Sequence, residues 1–272
     1  TFAQLGADVI RIDPPQGGLD YTRWPVTPEG VSLFWAGMNK GKKSVVIDLA
    51  RPEGRELAAA LICAPGDNAG LFLTNFPPRG WLAYETLRSR RADLIHVNIL
   101  GDRHGRSAVD YTVNCRIGFP NITGPAGTDE PVNHVLPAWD HITGMSAAFG
   151  LLAAERHRNR TGSGQYVKIA LLDVALATVG HMGMIAEVEV NDEDRARHGN
   201  WLFGAFGRDF ATRDGRRVMV VAITGRQWAN LCAATNLQEA FASVAQRLGL
   251  DLSREGIASG AGTLSQHRSG HG

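Results

Sequence analysis

Gly70-Leu71-Phe72-Leu73-Thr74, a helical stretch from about Gly80 to Arg90, and then Leu94-Ile95-His96-Val97-Asn98 form the segment whose reading decides the fold. Both short runs are apolar almost throughout instead of alternating, which is the pattern of strands covered on two faces. Strands joined through a helix run parallel, because a crossover is needed to bring the chain back to its starting edge. Working outward, Ala7-Asp8-Val9-Ile10-Arg11-Ile12 and Ser44-Val45-Val46-Ile47-Asp48 read as further strands, with a helix from Pro52 to about Ile62. Strand and helix in alternation imply an α/β fold with a doubly wound parallel sheet. In such sheets binding falls beyond the carboxyl ends of the strands, which here lead into Asp13-Pro14, Asp48-Leu49, Asn75-Phe76-Pro77 and the run from Asn98 to Gly101.

The second half has a different rhythm. Helical stretches from Ile142 to His157 and from Leu171 to Val188 flank a short strand, Tyr166-Val167-Lys168-Ile169. Asp209 to Arg213 and Arg216 to Ala222 then enclose an Asp214-Gly215 turn, a hairpin signal. The expected organisation is a large domain over 1–188, a linker and the start of a smaller α+β domain over 189–250, and a disordered tail over 251–272. That tail has almost nothing to bury and cannot offset its ordering entropy. Thr1-Phe2-Ala3-Gln4-Leu5-Gly6 reads as the last turn of a helix stopped by glycine, so a missing upstream segment is expected; the smaller domain reads as cut short too, giving an expected truncation at both ends.

Composition narrows the function classes. The chain has 272 residues, 44% hydrophobic and 20% charged, with a formal net charge of +1. It is long enough for a substantial core, and it carries no charge excess that would drive it onto nucleic acid or an anionic membrane. No apolar run approaches the ~18 residues of a membrane span. Cys63, Cys115 and Cys232 show neither disulfide nor metal-ligand spacing, which fits a reducing compartment, and the cytoplasm is the expected location.

Asp140, in Leu136-Pro137-Ala138-Trp139-Asp140-His141-Ile142-Thr143-Gly144, delivers one carboxylate to the start of a long helix. It is either a cap, suited to the positive end of the helix dipole, or a nucleophile. Lys40, Lys42 and Lys43 precede a strand, as a solvated face or as point charges for the phosphates of a ligand. Arg156, Arg158 and Arg160 suit a helix C-terminus. Asp110 has no visible spacing partner, and His141 beside Asp140 points elsewhere on the helix. Gly162-Ser163-Gly164-Gln165-Tyr166-Val167 lacks the third glycine of a dinucleotide turn and precedes a strand. Serine-hydrolase elbows and zinc motifs are absent from the sequence.

Four motifs in order, Leu5-Gly6-Ala7-Asp8-Val9-Ile10-Arg11-Ile12-Asp13-Pro14, Asn39-Lys40-Gly41-Lys42-Lys43-Ser44, Arg51-Pro52-Glu53-Gly54-Arg55-Glu56-Leu57 and Thr161-Gly162-Ser163-Gly164-Gln165-Tyr166-Val167, resemble the family III CoA-transferases, the CaiB/BaiF family. The resemblance runs from residue 1 to about residue 240. It implies a Rossmann-like CoA-binding domain, an interlocked homodimer, an acyl-CoA substrate and no prosthetic group, CoA being part of the substrate. The family's aspartate nucleophile falls on Asp140, and Asp110 takes the place of a second active-site carboxylate. CoA contacts fall on Ile47-Asp48, Asn75-Phe76 and the loop before Asp110, with Lys42 and Lys43 as further CoA-binding candidates.

Within the family, Val109-Asp110-Tyr111-Thr112-Val113-Asn114, Val132 to Asp140 and Gly204-Ala205-Phe206-Gly207-Arg208-Asp209-Phe210 resemble the members that move CoA between the C1 and C4 carboxylates of mesaconate. Intermolecular transfer between an acyl-CoA and a different free acid is the alternative, as is an inactive CoA-binding fragment. In the racemase branch a histidine precedes the residue matching Asp110, whereas this chain has Val109.

Overall fold

The computed structural model describes residues 1–248. The described chain divides into two compact units, Thr1–Ile117 with Leu136–Met184, and Gly118–Val135 with residues 185–248. This division differs from a single cut after residue 188, because the excursion over 118–135 leaves the first unit and returns to it. The tail expected over 251–272 lies outside the described residues.

In the first unit, β1 (Ile10–Asp13) pairs in parallel with β2 (Lys43–Val46), with the short helix α1 (Leu33–Met38) between them. After α2 (Pro52–Ile62) come β3 (Leu71–Thr74), α3 (Tyr84–Arg88) and β4 (Ile95–Leu100). Next are α4 (Asp110–Arg116), α6 (Ala138–Thr161), β5 (Tyr166–Ala170) and α7 (Leu171–His181). The helix numbering leaves α5 (Phe119–Ile122) to the second unit. β3, β4 and β5 form a parallel sheet in that order. The fold is α/β with parallel sheets, as the sequence led one to expect.

The period-two alternation of β4 explains how both sheet faces are covered. Ile95 and Val97 face α6 and pack with Ala147, Leu151 and Ala154, joined by Val167 and Ile169 of β5. His96 faces the opposite way, against the rings of Phe72, Tyr84 and Tyr166. A second cluster of Ala59, Ile62, Leu82, Leu87 and Leu94 packs with Phe72 and Tyr84. Leu87 and Leu94 are fully buried, and each such side chain contributes about 1.5–3 kcal/mol relative to exposure.

Two close backbone approaches shape this unit. A Cβ on Gly54 would collide with the main-chain oxygen of Asp48, and one on Gly164 would collide with that of Leu94. Glycine at these places lets α2 sit against the end of β2 and lets the chain enter β5 beside β4. At the far end of α6, buried Arg158 donates to the carbonyls of Ala69 at 2.8 Å and Asp67 at 3.2 Å. It therefore fastens the helix to the loop before β3, beyond the capping expected of it.

Several boundaries differ from expectation for identifiable reasons. The stretch from Leu171 to Val188 is two helices, α7 and α8 (Met184–Asn191), because Gly183 takes φ 75° between them, a value costly for other residues. The stretch from Gly80 to Arg90 is a 3-10 turn, Gly80–Leu82, followed by α3, since Ala83 is extended. The long helix begins four residues before Ile142, at Ala138, for a reason that lies in the site itself.

In the second unit, β6 (Phe206–Ala211) and β7 (Arg217–Ala222) form the antiparallel hairpin expected around Asp214-Gly215. α9 (Gly225–Thr235) opens on a capping box in which Thr224 and Gln227 exchange hydrogen bonds, and α10 (Gln238–Leu248) follows. Trp228 packs against Phe206 and Phe241. Arg197 holds the 118–135 excursion to this unit by donating to the carbonyls of Asn121 and Glu130, each at 2.6 Å. Among the described residues no single helix is long and apolar enough to cross a membrane, although α7 and α8 pass together by length and composition.

Candidate functional site

A helix start leaves its first N–H groups without intrahelical partners. α6 has Pro137 as its N-cap, and no side chain of the capping residue serves it. The missing acceptor comes from α4. Asp110 Oδ2 accepts the N–H of Trp139 at 2.7 Å and the N–H of Asp140 at 3.0 Å. One turn further along α4, Asn114 Oδ1 accepts the indole N–H of Trp139 at 3.0 Å. Asp110, Asn114 and Trp139 are each about 2% exposed or less, so these are charge-assisted or neutral bonds shielded from water. They extend α6 back to Ala138, which accounts for its early beginning.

Asp140 is therefore held by its backbone, and its carboxylate is not the cap. That carboxylate is solvent-accessible and makes no side-chain hydrogen bond among the described residues. Partial desolvation by the surrounding chain pushes its pKa above the ordinary value, and the nearby charge of Asp110 pushes the same way. Arg23 and His141 pull it back. The arrangement is an available carboxylate on an anchored turn, beside a second carboxylate whose Oδ2 does the anchoring.

The remaining candidates lie at the carboxyl ends of parallel strands. Ile47 is buried and offers a ligand only its main chain, its own N–H being donated to Asp13 O at 2.9 Å. Asp48 accepts the N–H of Ala50 at 3.0 Å. Asn75 and Phe76 follow β3 on the surface, Phe76 with its ring about half exposed. Asn98 donates to the carbonyls of Thr74 and Phe76 and fixes that turn.

The two lysines are partnered differently. Lys42 Nζ donates to Asn39 Oδ1 at 2.8 Å, and Arg11 donates to the same oxygen at 3.1 Å. Desolvation and the Arg11 charge lower the Lys42 pKa, against the pull of Asp13. Lys43 is ion-paired with Asp8 at 2.8 Å on the surface. The loop leading to Asp110 is wound around buried Asp102. Burial opposes ionisation there, but the N–H and guanidinium of Arg106 and the N–H of His104 outweigh it and hold the carboxyl at about 2.

Of the residues singled out in the sequence, the structure brings Asp110 and Asp140 together and sets Lys42 in the Arg11–Asn39–Asp13 network. Asn114, Trp139 and Arg23 were not singled out. Asn114 had a signal, since it stands four residues after Asp110 and hence on the same helical face. Arg23 approaches from far along the chain and had none.

Residues 1–255 match the model of CoA-transferase family III. The chain is 63% identical over 257 residues to 2-methylfumaryl-CoA isomerase of Chloroflexus aurantiacus, covering 94% of this chain and 63% of that protein. It is 31% identical over 252 residues to succinyl-CoA:mesaconate CoA-transferase of Haloarcula hispanica, covering 86% of this chain and 61% of that one. The chain thus spans less than two thirds of the length of these relatives. A CaiB/BaiF family protein from Brucella suis superposes with a TM-score of 0.73 at 25% identity, over 97% of this chain and 71% of the other. With a family match along nearly its whole length, the chain belongs to CoA-transferase family III.

Proposed function

We propose that the protein is an intramolecular CoA transferase that moves CoA from the C1 to the C4 carboxylate of mesaconate, converting 2-methylfumaryl-CoA to 3-methylfumaryl-CoA. The observation that carries this reading is the 63% identity to an isomerase of that name across 94% of the chain. The uncapped, accessible carboxylate of Asp140 supports it with a suitable nucleophile.

Asp140 attacks the C1 thioester carbonyl, forming a mixed anhydride and releasing CoA thiolate. The thiolate attacks the aspartyl carbonyl, leaving an aspartyl-CoA thioester and a free C1 carboxylate. The C4 carboxylate of the same mesaconate then attacks that thioester, giving the C4 anhydride and thiolate again. Attack of the thiolate on the C4 acyl carbon forms the product and restores the Asp140 carboxylate. Every step passes an acyl group between nucleophiles, so the balance calls for neither an electron carrier nor a metal.

A carboxylate is a weak nucleophile, and holding reactants in place supplies about 7–11 kcal/mol in favourable intramolecular cases. Retention of mesaconate between the halves of the reaction makes the enzyme an isomerase. CoA lies, in this reading, along a Rossmann-like sheet against the Ile47-Asp48 and Asn75-Phe76 turns, with Lys42 and Lys43 toward its phosphates. A cytoplasmic homodimer is the assembly that goes with it.

The 31% identity to succinyl-CoA:mesaconate CoA-transferase favours a second reading, transfer to a different free acid. Isotopically labelled free mesaconate, supplied during turnover of unlabelled mesaconyl-CoA, separates the two. Thioester without label supports the isomerase, and label entering at the turnover rate supports intermolecular transfer.

A further inference from the structure

The start of α6 is capped by a residue from another helix, and the consequence falls on Asp140. An aspartate in the first turn of a helix ordinarily finds its nearest donors in the free N–H groups of that turn. Here those donors are taken. Asp110 Oδ2 holds the N–H groups of Trp139 and Asp140, the Ala138 N–H goes to Leu136 O at 2.7 Å, and the His141 N–H goes to Pro137 O at 3.1 Å. The four leading amides are all occupied without the Asp140 carboxylate.

We propose that Asp110 is a positioning residue for the transfer reaction: by capping α6 from α4, it leaves the Asp140 carboxylate unbonded and aims it by fixing its backbone. Asn114 completes the device by holding the Trp139 ring, so the residue before Asp140 is fixed at both its main chain and its side chain. Asp110 is about 2% exposed, with Oδ2 committed to the two N–H groups, so the role assigned to it runs through Asp140. This rests on the reading of Asp140 as nucleophile, and the experiment distinguishes the two claims.

The groups acting on Asp140 are Asp110 from α4, Arg23 from the segment before α1, and His141 on its own helix. An amide in place of Asp110 keeps an acceptor for both N–H groups but removes the negative charge. An alanine removes the cap as well, and a nucleophile displaced by an ångström loses about 100-fold in rate.

The test compares Asp110→Asn, Asp110→Ala and Asp140→Ala in the protein at its natural length, measuring kcat, KM for mesaconyl-CoA and the acid limb of the kcat profile. Asp110→Ala is expected to lower kcat about 100-fold with KM unchanged. Asp110→Asn is expected to recover most of that loss while its acid limb moves to lower pH. If Asp140→Ala is inactive but both Asp110 variants keep the parent kcat and acid limb, the positioning role is overturned and the nucleophile stands. If Asp140→Ala turns over normally, both fall. Should Asp110→Ala not fold, Asp110→Glu, which keeps the charge but displaces the acceptor by one methylene, takes its place, and a parent-like kcat in that variant overturns the proposal.

Discussion

The side-chain amide of Asn98 donates to the main-chain oxygen of Phe76 at 2.9 Å. With its second bond to Thr74 O at 3.2 Å, it ties the middle strand of the sheet to the turn that leaves its neighbour. Asn98 is fully buried, so its removal strips partners from two carbonyls.

Asn98→Ala is expected to cost about 1–3 kcal/mol of stability, the usual consequence of leaving buried polar groups unpaired. If the Asn75-Phe76 turn receives CoA, KM for the acyl-CoA rises several-fold as kcat holds. Thermal melting and steady-state kinetics measure both, and an unchanged KM with a lowered Tm would assign Asn98 to folding alone.

Asp140→Ala is expected to abolish isomerisation and leave CoA binding within a few-fold. Because desolvation and the charge of Asp110 raise the pKa of this carboxyl, the parent's activity increases with pH as Asp140 ionises. The acid limb belongs above the ordinary carboxylate range. Calorimetric titration with CoA and a pH series of kcat check these points, and turnover near the parent rate in the variant removes Asp140 from the mechanism.

His96 predicts an acid-sensitive core. It is fully buried with both ring nitrogens lacking hydrogen-bond partners, and desolvation lowers its pKa to about 4 from 6.5. The unfolded chain therefore binds this proton more readily than the folded one. Stability is unaffected above about pH 6.5, declines as pH falls toward 4, and levels off below, by a total on the order of 3 kcal/mol. Denaturant titrations across that window should show a smaller decline for His96→Phe, and parallel curves for parent and variant would refute the assignment.

Proton exchange at C2 of a 2-methylacyl-CoA is not expected. Val109, half-exposed at the N-cap of α4, has no transferable proton where the racemase branch has histidine. Incubation in deuterated water followed by mass spectrometry tests this, enzyme-dependent deuterium at C2 being the contrary result.

The local part of the fold was legible because local chemistry decides it. The apolar runs of β3 and β4 are strands, Pro52 opens α2, and Asp214-Gly215 turns the hairpin. The break at Gly183 was hidden by apolar residues continuing on both sides, although the glycine stood in plain view. Lys43 read as part of a solvated face or as a point charge for ligand phosphates, and its ion-pair partner Asp8, distant in sequence, left no signal. Asp140 could be narrowed to cap or nucleophile; that α6 is capped by Asp110 and not by the Asp140 carboxylate was hidden, because a partner thirty residues away leaves no periodic trace.

Gly54 and Gly164 bring backbones closer than any side chain permits, against Asp48 and Leu94 respectively. A saturation scan scored by activity would rank both with Asp140, since every replacement forces α2 or the entry to β5 out of place. Intolerance at those two positions would mark a steric limit with no chemistry behind it. Only a parallel abundance or melting readout separates them from Asp140, the proposed nucleophile, whose replacement should leave the folded population intact.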